Sequence, residues 1–310
     1  MRLHENISEF KELITLTAQE KHIPESSVER DYYIVQALLL LSGSKNASRC
    51  VFKGGTSLSK CYPFSIERFS EDIDLSYIPE EGMTNKEIER KLKAIEKIMT
   101  SGAETEIIPE ERNERNKSIW FWHGSRDNKI KLEIGSSVRP EPYGVKTIKT
   151  YIHEYLETHC FDDVIAEFGL TEVRVNVLNI ERTFVDKIMA VKRHAICGTI
   201  NSKARHIYDV VRLFKMQEIQ GFLADKPNLK RLMVLTKQTD AIYLEKRNIP
   251  EGYDPTGSFD FASWKTAFME AKGTYEHLHV DLLYTDEKQI FDDAVSVFEQ
   301  INEILMQIDE

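Results

Sequence analysis

Hydrophobic positions recur along this chain with two different periods, and the change from one to the other organises it. Ile7, Phe10 and Ile14 stand at helical spacing, and a second helix is predicted from Pro24, which suits a first turn, to Leu41. "CVFK" then reads as a short strand, "GGT" as a tight turn and "SLSKCY" as the first turns of a helix. In "DIDLSY" the alternation is strict: Ile73, Leu75 and Tyr77 point one way, while Asp72, Asp74 and Ser76 point the other. After a charged helix around Thr84 to Thr100, the pattern predicts strands at 103–108, 117–123 and 129–135. In the last, Ile130, Leu132 and Ile134 would face a core, with Lys129, Lys131 and Glu133 opposite. "RPEPYG" breaks the pattern, and "VRVNVLNI" near 173–180 looks like one more strand.

From Glu181 onward the period is helical almost throughout. "ERTFVDKIMAVKRHAIC" sets Phe184, Ile188 and Val191 on one face and Thr183 with Lys187 on another. "KARHIYDVVRLFK" would bury Ile207, Val210, Val211 and Phe214 and present Arg205, Asp209 and Arg212 together. Phe291, Ala294, Phe298, Ile301, Leu305 and Ile308 predict a long amphipathic helix packed on its own domain. The expectation is an α+β fold: a mixed sheet flanked by helices over residues 1–180, with its helical leader, and a helical C-terminal domain over 181–310. At 310 residues the chain is long enough for two such domains.

Composition narrows the class. With 30% charged and 41% hydrophobic residues and no low-complexity tract, nothing reads as disordered. No secretory signal is visible at the N-terminus, the apolar run Ala37 to Leu41 is too short to cross a bilayer, and the expected location is the cytoplasm. Cys50, Cys61, Cys160 and Cys197 lie at unrelated spacings, which argues against a zinc knuckle or a disulfide framework. The net charge of -10 is local: residues 240–310 hold 16 acidic and 5 basic side chains, and the rest of the chain is near neutral. Between Asp186 and Lys215, seven Lys or Arg stand against two aspartates, a basic island that suits either an RNA backbone or an ordinary solvated helix face.

The candidate chemistry lies in "VFKGGTSLSKCYPFSIERFSEDIDLSY", residues 51–77. Residues i and i+2 of a strand lie roughly 6.6 Å apart on one face, so Asp72 and Asp74 could converge on divalent cations, although an isolated D-x-D is usually a solvated strand face. Gly54 and Gly55 permit close approach of a ligand, and the helix after them offers free N–H groups to an anion, with Thr56 and Ser57 adding hydroxyls. Glu133 is a third carboxylate on a polar strand face. Arg68 would either contact a phosphate or close a strand end, and Asp209 has an easy ion pair with Arg205 or Arg212.

These residues resemble the nucleotidyltransferase AbiEii/AbiGii toxin family, MenT-like, within the DNA polymerase β-like nucleotidyltransferase superfamily. "FKGGTSLSK", "RFSEDIDLSY", "ERTFVDKIMAVKRHA" and "RHIYDVVRL" carry the resemblance, in family order, over about half the chain. The 15-residue spacer between Thr56 and Asp72 is longer than the superfamily's usual gap. The resemblance implies transfer of NMP from an NTP with Mg²⁺ or Mn²⁺ to an acceptor hydroxyl, with RNA, plausibly the tRNA 3′ end, as acceptor and an antitoxin as partner. By the family pattern Gly54, Gly55 and Thr56 would hold phosphates, Asp72 and Asp74 the metals, and Lys187 and Asp209 would be functional, with Ser70 at the edge of the site. Glu133 as third metal carboxylate comes from strand parity and the superfamily plan. Transfer to a small molecule or a protein hydroxyl, or non-catalytic NTP binding, are the alternatives.

Overall fold

The computed structural model describes residues 2–244, 251, 254, 256–283 and 288–309. Parts of the acidic C-terminal third therefore lie outside the described residues. The chain forms two compact units, one of residues 1–61 and 69–178, the other of 62–68 and 179–310.

The first unit opens with α1 (Ile7–Lys21) and α2 (Glu25–Ser42), then β1 (Cys50–Lys53), α3 (Gly54–Cys61) and β2 (Asp72–Tyr77). It continues through α4 (Asn85–Met99), β3 (Glu104–Ile107), β4 (Asn116–Trp122), β5 (Ile130–Gly135) and β6 (Tyr143–Ile148). It closes with α5 (Tyr151–Thr158), α6 (Asp162–Phe168) and β7 (Val173–Leu178). Seven strands form one mixed sheet in the order β3-β4-β5-β2-β1-β7-β6, with β2/β5 and β1/β7 parallel and the other pairs antiparallel.

The expected strands are present within a residue or two. The pattern missed β6 and the helices α5 and α6 that follow it, because β6 is an edge strand with mostly exposed side chains and so shows little hydrophobic alternation. Pro24 stands just outside α2 as its N-cap rather than within the first turn. Glycine and hydroxyl residues do not form a separate turn before α3: the helix starts at Gly54 itself.

Apolar residues at alternate strand positions build the core. Phe52, Ile73, Leu75, Leu132 and Ile134 are all buried, and register makes them neighbours on one face: Phe52 opposite Leu75, Ile73 opposite Leu132, Leu75 opposite Ile134. Helices α2 and α4 pack on the sheet, and Lys117 on β4 reaches Glu89 of α4 at 3.0 Å. α4 is held by a reciprocal cap, in which the Thr84 hydroxyl accepts from the Glu87 N–H and the Glu87 carboxylate accepts from the Thr84 N–H. A second cluster joins α1, α2, α5 and α6 through Phe10, Leu13, Tyr32, Ile152, Leu156 and Phe168. Burial pushes the thiols of Cys50 and Cys61 up to about 12, so both remain neutral, unreactive core residues.

The second unit is helical: α7 (Ile180–Ile196), α8 (Ala204–Phe214), α9 (Gln217–Ala224), α10 (Lys226–Leu244), α11 (Phe261–Met269), α12 (Lys272–Glu276), α13 (Leu278–Asp281) and α14 (Phe291–Asp309). The α14 residues expected to be buried are buried. On α8 the buried residue is Leu213 and Phe214 is half-exposed. Phe298 meets Phe261, Trp264 and Phe268 at ring-centroid distances of 5.7, 6.1 and 4.8 Å. None of the described helices is long and apolar enough to cross a membrane.

Phe298 is fully enclosed, so Phe298→Ala should leave a cavity in this aromatic cluster and lower the unfolding free energy by about 3–5 kcal/mol. Denaturant titration of both proteins measures the loss.

Candidate active site

The ladder between β1 and β2 sets Lys53 opposite Asp74, so the chain leaving β1 turns at Gly54 immediately beside the Asp74 side chain. Gly54 has φ +83°, and a Cβ at this position would stand 2.1 Å from Asp74 Oδ2. Both the left-handed backbone and the lack of space require glycine here. The first turn of α3 therefore begins against the acidic pair.

The following hydroxyls stitch this turn together. Thr56 Oγ1 donates to the Asp72 carbonyl at 2.5 Å and lies 3.0 Å from the Ser70 hydroxyl, so Thr56, Ser70 and the start of β2 form one bonded group. Ser57 Oγ donates back to the Gly54 carbonyl at 2.9 Å. Thr56 and Ser57 thus shape the loop, and the first turn of α3 presents backbone N–H groups that have no intrahelical acceptor. Arg30 of α2 anchors the approach to β2, reaching Glu71 at 2.5 Å and the Asp127 carbonyl at 2.8 Å.

Glu133 lies directly opposite Asp74 on the parallel neighbour β5, and Lys131 lies opposite Asp72. Strand parity thus brings the three carboxylates onto one face, as expected. Sequence reasoning did not foresee that Lys131 bonds Glu133 at 2.5 Å and Glu111 at 2.8 Å. Burial alone would lower the Lys131 ammonium, but the two carboxylates outweigh it and raise its pKa above the usual lysine value. The same lysine overrides the effect of burial on Glu111, which lies below the ordinary carboxylate value.

In the second unit Lys187 and Asp209 meet, and with them Arg68. Asp209 is fully buried and binds Arg68 twice, at 2.6 and 2.7 Å, and Lys187 at 2.7 Å. Burial alone would raise the Asp209 carboxyl, but the charges of Arg68 and Lys187 and their hydrogen bonds overcome it and hold its pKa below the usual range. Neither Arg205 nor Arg212 is the partner that helical spacing suggested: Arg212 pairs with Glu67 at 3.0 Å. Arg68 was legible only as an ambiguous neighbour of "FSEDID", since its pairing with Asp209 spans 141 residues. His206, beside this cluster, is kept neutral by burial and by the cations Lys187, Lys203, Arg68 and Arg205, and its Nδ1 has no hydrogen-bond partner among the described residues.

The donor set suits a hard cation. Asp72, Asp74 and Glu133 offer only carboxylate oxygens, which match Mg²⁺ or Mn²⁺ rather than zinc. Among the described residues no group of three or more His, Cys, Asp and Glu side chains is arranged to hold a metal by itself. Mg²⁺ characteristically binds through one or two carboxylates together with substrate phosphates, which the Asp72 and Asp74 pair beside the α3 turn fits.

The structure thus sets a strand bearing paired acids next to a glycine-initiated helix. Residues 36–297 match the family model described as nucleotidyl transferase AbiEii toxin, type IV toxin–antitoxin system. The chain belongs to this family, and it is a nucleotidyltransferase. The family also implies an NTP substrate and an antitoxin partner. Among solved structures, MenT4, a nucleotidyltransferase toxin from Mycobacterium tuberculosis H37Rv, is similar in fold, with a TM-score of 0.50 and 18% identity over 96% of this chain and 99% of that one. JHP933 from Helicobacter pylori matches with 16% identity over 92% of this chain and 93% of that one, at a TM-score of 0.46. No curated protein sequence matches this chain.

Two substitutions probe these arrangements. Gly54→Ala should cost about 1–3 kcal/mol from backbone strain alone, displace Asp74 and abolish nucleotidyl transfer; thermal unfolding and a turnover assay check each part. Asp209→Asn removes the charge that Arg68 and Lys187 share in a buried setting and should lower stability by about 3–5 kcal/mol near neutral pH. Because the folded-state pKa of Asp209 is depressed, its contribution is complete above the unfolded aspartate value and is lost as pH falls through the folded value. The gap between wild type and Asp209→Asn should therefore narrow on acidification, as read by unfolding at a series of pH values.

Proposed function

We propose that this protein transfers a nucleoside monophosphate from an NTP to a hydroxyl of RNA, with Mg²⁺ held by Asp72 and Asp74, as the toxin of a toxin–antitoxin pair. The observation that carries the reading is the contact of Gly54 with Asp74, with Glu133 opposite Asp74 on the next strand. It sets an anion-binding helix start against paired carboxylates, the two demands that an NTP's phosphates and their counter-cation make.

The chain's own groups would divide the work. Backbone N–H groups at Gly54, Gly55 and Thr56 would bind the phosphates that leave as pyrophosphate. Bound Mg²⁺ would supply charge stabilisation for the transferred phosphoryl group. Glu133 would accept the proton of the attacking hydroxyl, for which the Lys131 ion pair must yield. The lysine also limits repulsion among the three acids. In the second unit, Lys187 and Arg68 are both held by the buried Asp209 carboxylate. Asp209 would act as a positioning residue, fixing both cations. RNA as acceptor rests on the family's likeness, since in the basic run between Asp186 and Lys215 Lys187 and Lys192 are buried and Arg193 and Arg212 are ion-paired with Asp240 and Glu67.

The test incubates the full chain with each labelled NTP, total cellular RNA and Mg²⁺. Wild type should label RNA, and Asp74→Ala should lower labelling by at least about a hundredfold, a loss of the size seen when one electrostatic stabiliser is removed. Label on a small molecule or on protein, with RNA blank, would reassign the acceptor. Labelling unchanged in Asp74→Ala would remove the acidic pair from the mechanism.

A further inference from the structure

The proposed site accounts for β1, β2 and β5, but its polar face continues onto β4. Trp120 pairs with Lys131, which pairs with Asp72, so the indole, the ammonium and the carboxylate form one cross-strand row on the same face. Trp120 is partly exposed, which leaves some of its indole accessible from solvent. The Lys129 ammonium lies over its ring, 4.4 Å from the centroid, and makes no ion pair among the described residues. Next along β4, the exposed Arg126 guanidinium lies 5.6 Å from the Trp122 ring centroid. Arg126 is committed to Glu106 at 2.5 Å, and Lys131 to Glu111 and Glu133. Of these three cations, Lys129 is the one without an ion pair among the described residues.

We infer that Trp120, with Lys129, forms the stacking platform for the terminal base of a single-stranded RNA acceptor. This rests on the reading of the preceding section. The direction of attack decides which nucleotide the platform serves. Phosphoryl transfer places the attacking and departing oxygens roughly in line through phosphorus. The departing pyrophosphate belongs to the α3 turn beside β1, and the α-phosphorus to the acids of β2 and β5. The attacking hydroxyl then enters from the far side, which in the strand order β4-β5-β2-β1 is β4. Trp120 stands two strand spacings from Asp72, roughly 10 Å, a distance that one nucleotide spans. An aromatic face beside a mobile lysine suits this role: the ring stacks any base, and the ammonium moves to the adjoining phosphate. The incoming NTP's own base is the competing occupant, and the test separates the two.

The experiment measures binding of a fluorescein-labelled, mixed-sequence 12-nucleotide single-stranded RNA with a free 3′ hydroxyl to the full chain without NTP, and binding of ATP with Mg²⁺ without RNA. Trp120→Ala should bind the RNA about tenfold more weakly, in line with the loss of one stacked base, with ATP affinity unchanged. Trp120→Phe, which keeps an aromatic face, should recover most of the loss. Lys129→Gln should weaken RNA binding a few-fold and reduce its dependence on salt. In turnover, Trp120→Ala should raise KM for RNA and leave KM for ATP unaltered. If Trp120→Ala does not fold, as judged by circular dichroism, Trp120→Phe and Lys129→Gln carry the test. RNA affinity equal to wild type in Trp120→Ala overturns the inference, as does a loss confined to ATP. Wild type that labels no RNA in the earlier assay sinks the acceptor reading itself, whereas normal RNA labelling by Trp120→Ala sinks the platform alone.

Discussion

The arrangement of the first unit depends on one close approach, the backbone of Gly54 against the carboxylate of Asp74. It follows from pairing Lys53 with Asp74 and then turning the chain at once into α3. The left-handed conformation at Gly54 aims the helix, and the missing Cβ leaves room for the carboxylate. A helix start and an acidic strand that are separate in sequence thereby share one rigid ladder. The bond from Thr56 to the Asp72 carbonyl closes the same joint from the other side.

Charge is managed differently in the two units. On the sheet, the acids stay partly accessible, and Lys131 bridges Glu133 and Glu111 across the strand face. That pairing lies at a partly accessible face. In the helical unit, Asp209 is sealed among Arg68 and Lys187, where losing either partner would expose the others to a large desolvation cost. A buried network of this kind fixes positions. His206 beside it is kept neutral first by burial and then by the nearby cations, and its Nδ1 has no hydrogen-bond partner among the described residues.

Alternation and spacing were enough to find every strand of the sheet except β6, the helices α7, α8 and α14 of the second unit, and the shared face of Asp72, Asp74 and Glu133. These features are local: pleat and helical period dictate which side chains share a face, whatever the fold. The family's motifs were legible for the same reason, since "FKGGTSLSK" and "RFSEDIDL" are contiguous stretches. The glycine requirement was visible as a type of residue, but its cause, the Asp74 side chain 20 residues on, was not.

What only tertiary structure decided is who pairs with whom. Helical spacing offered Asp209 two arginines on its own helix, yet the carboxylate turns inward to Arg68 and Lys187, because a buried anion needs buried cations and the less buried Arg212 has Glu67 instead. Thr56 and Ser57 looked like phosphate ligands and serve first to tie their own loop. Trp120 acquires meaning only from the order of the strands, which sets it in a row with Lys131 and Asp72. Periodicity is a property of neighbouring residues and can be read along the chain. Ion pairing and strand order join residues far apart in it, and their energies depend on burial that exists only once the chain has folded.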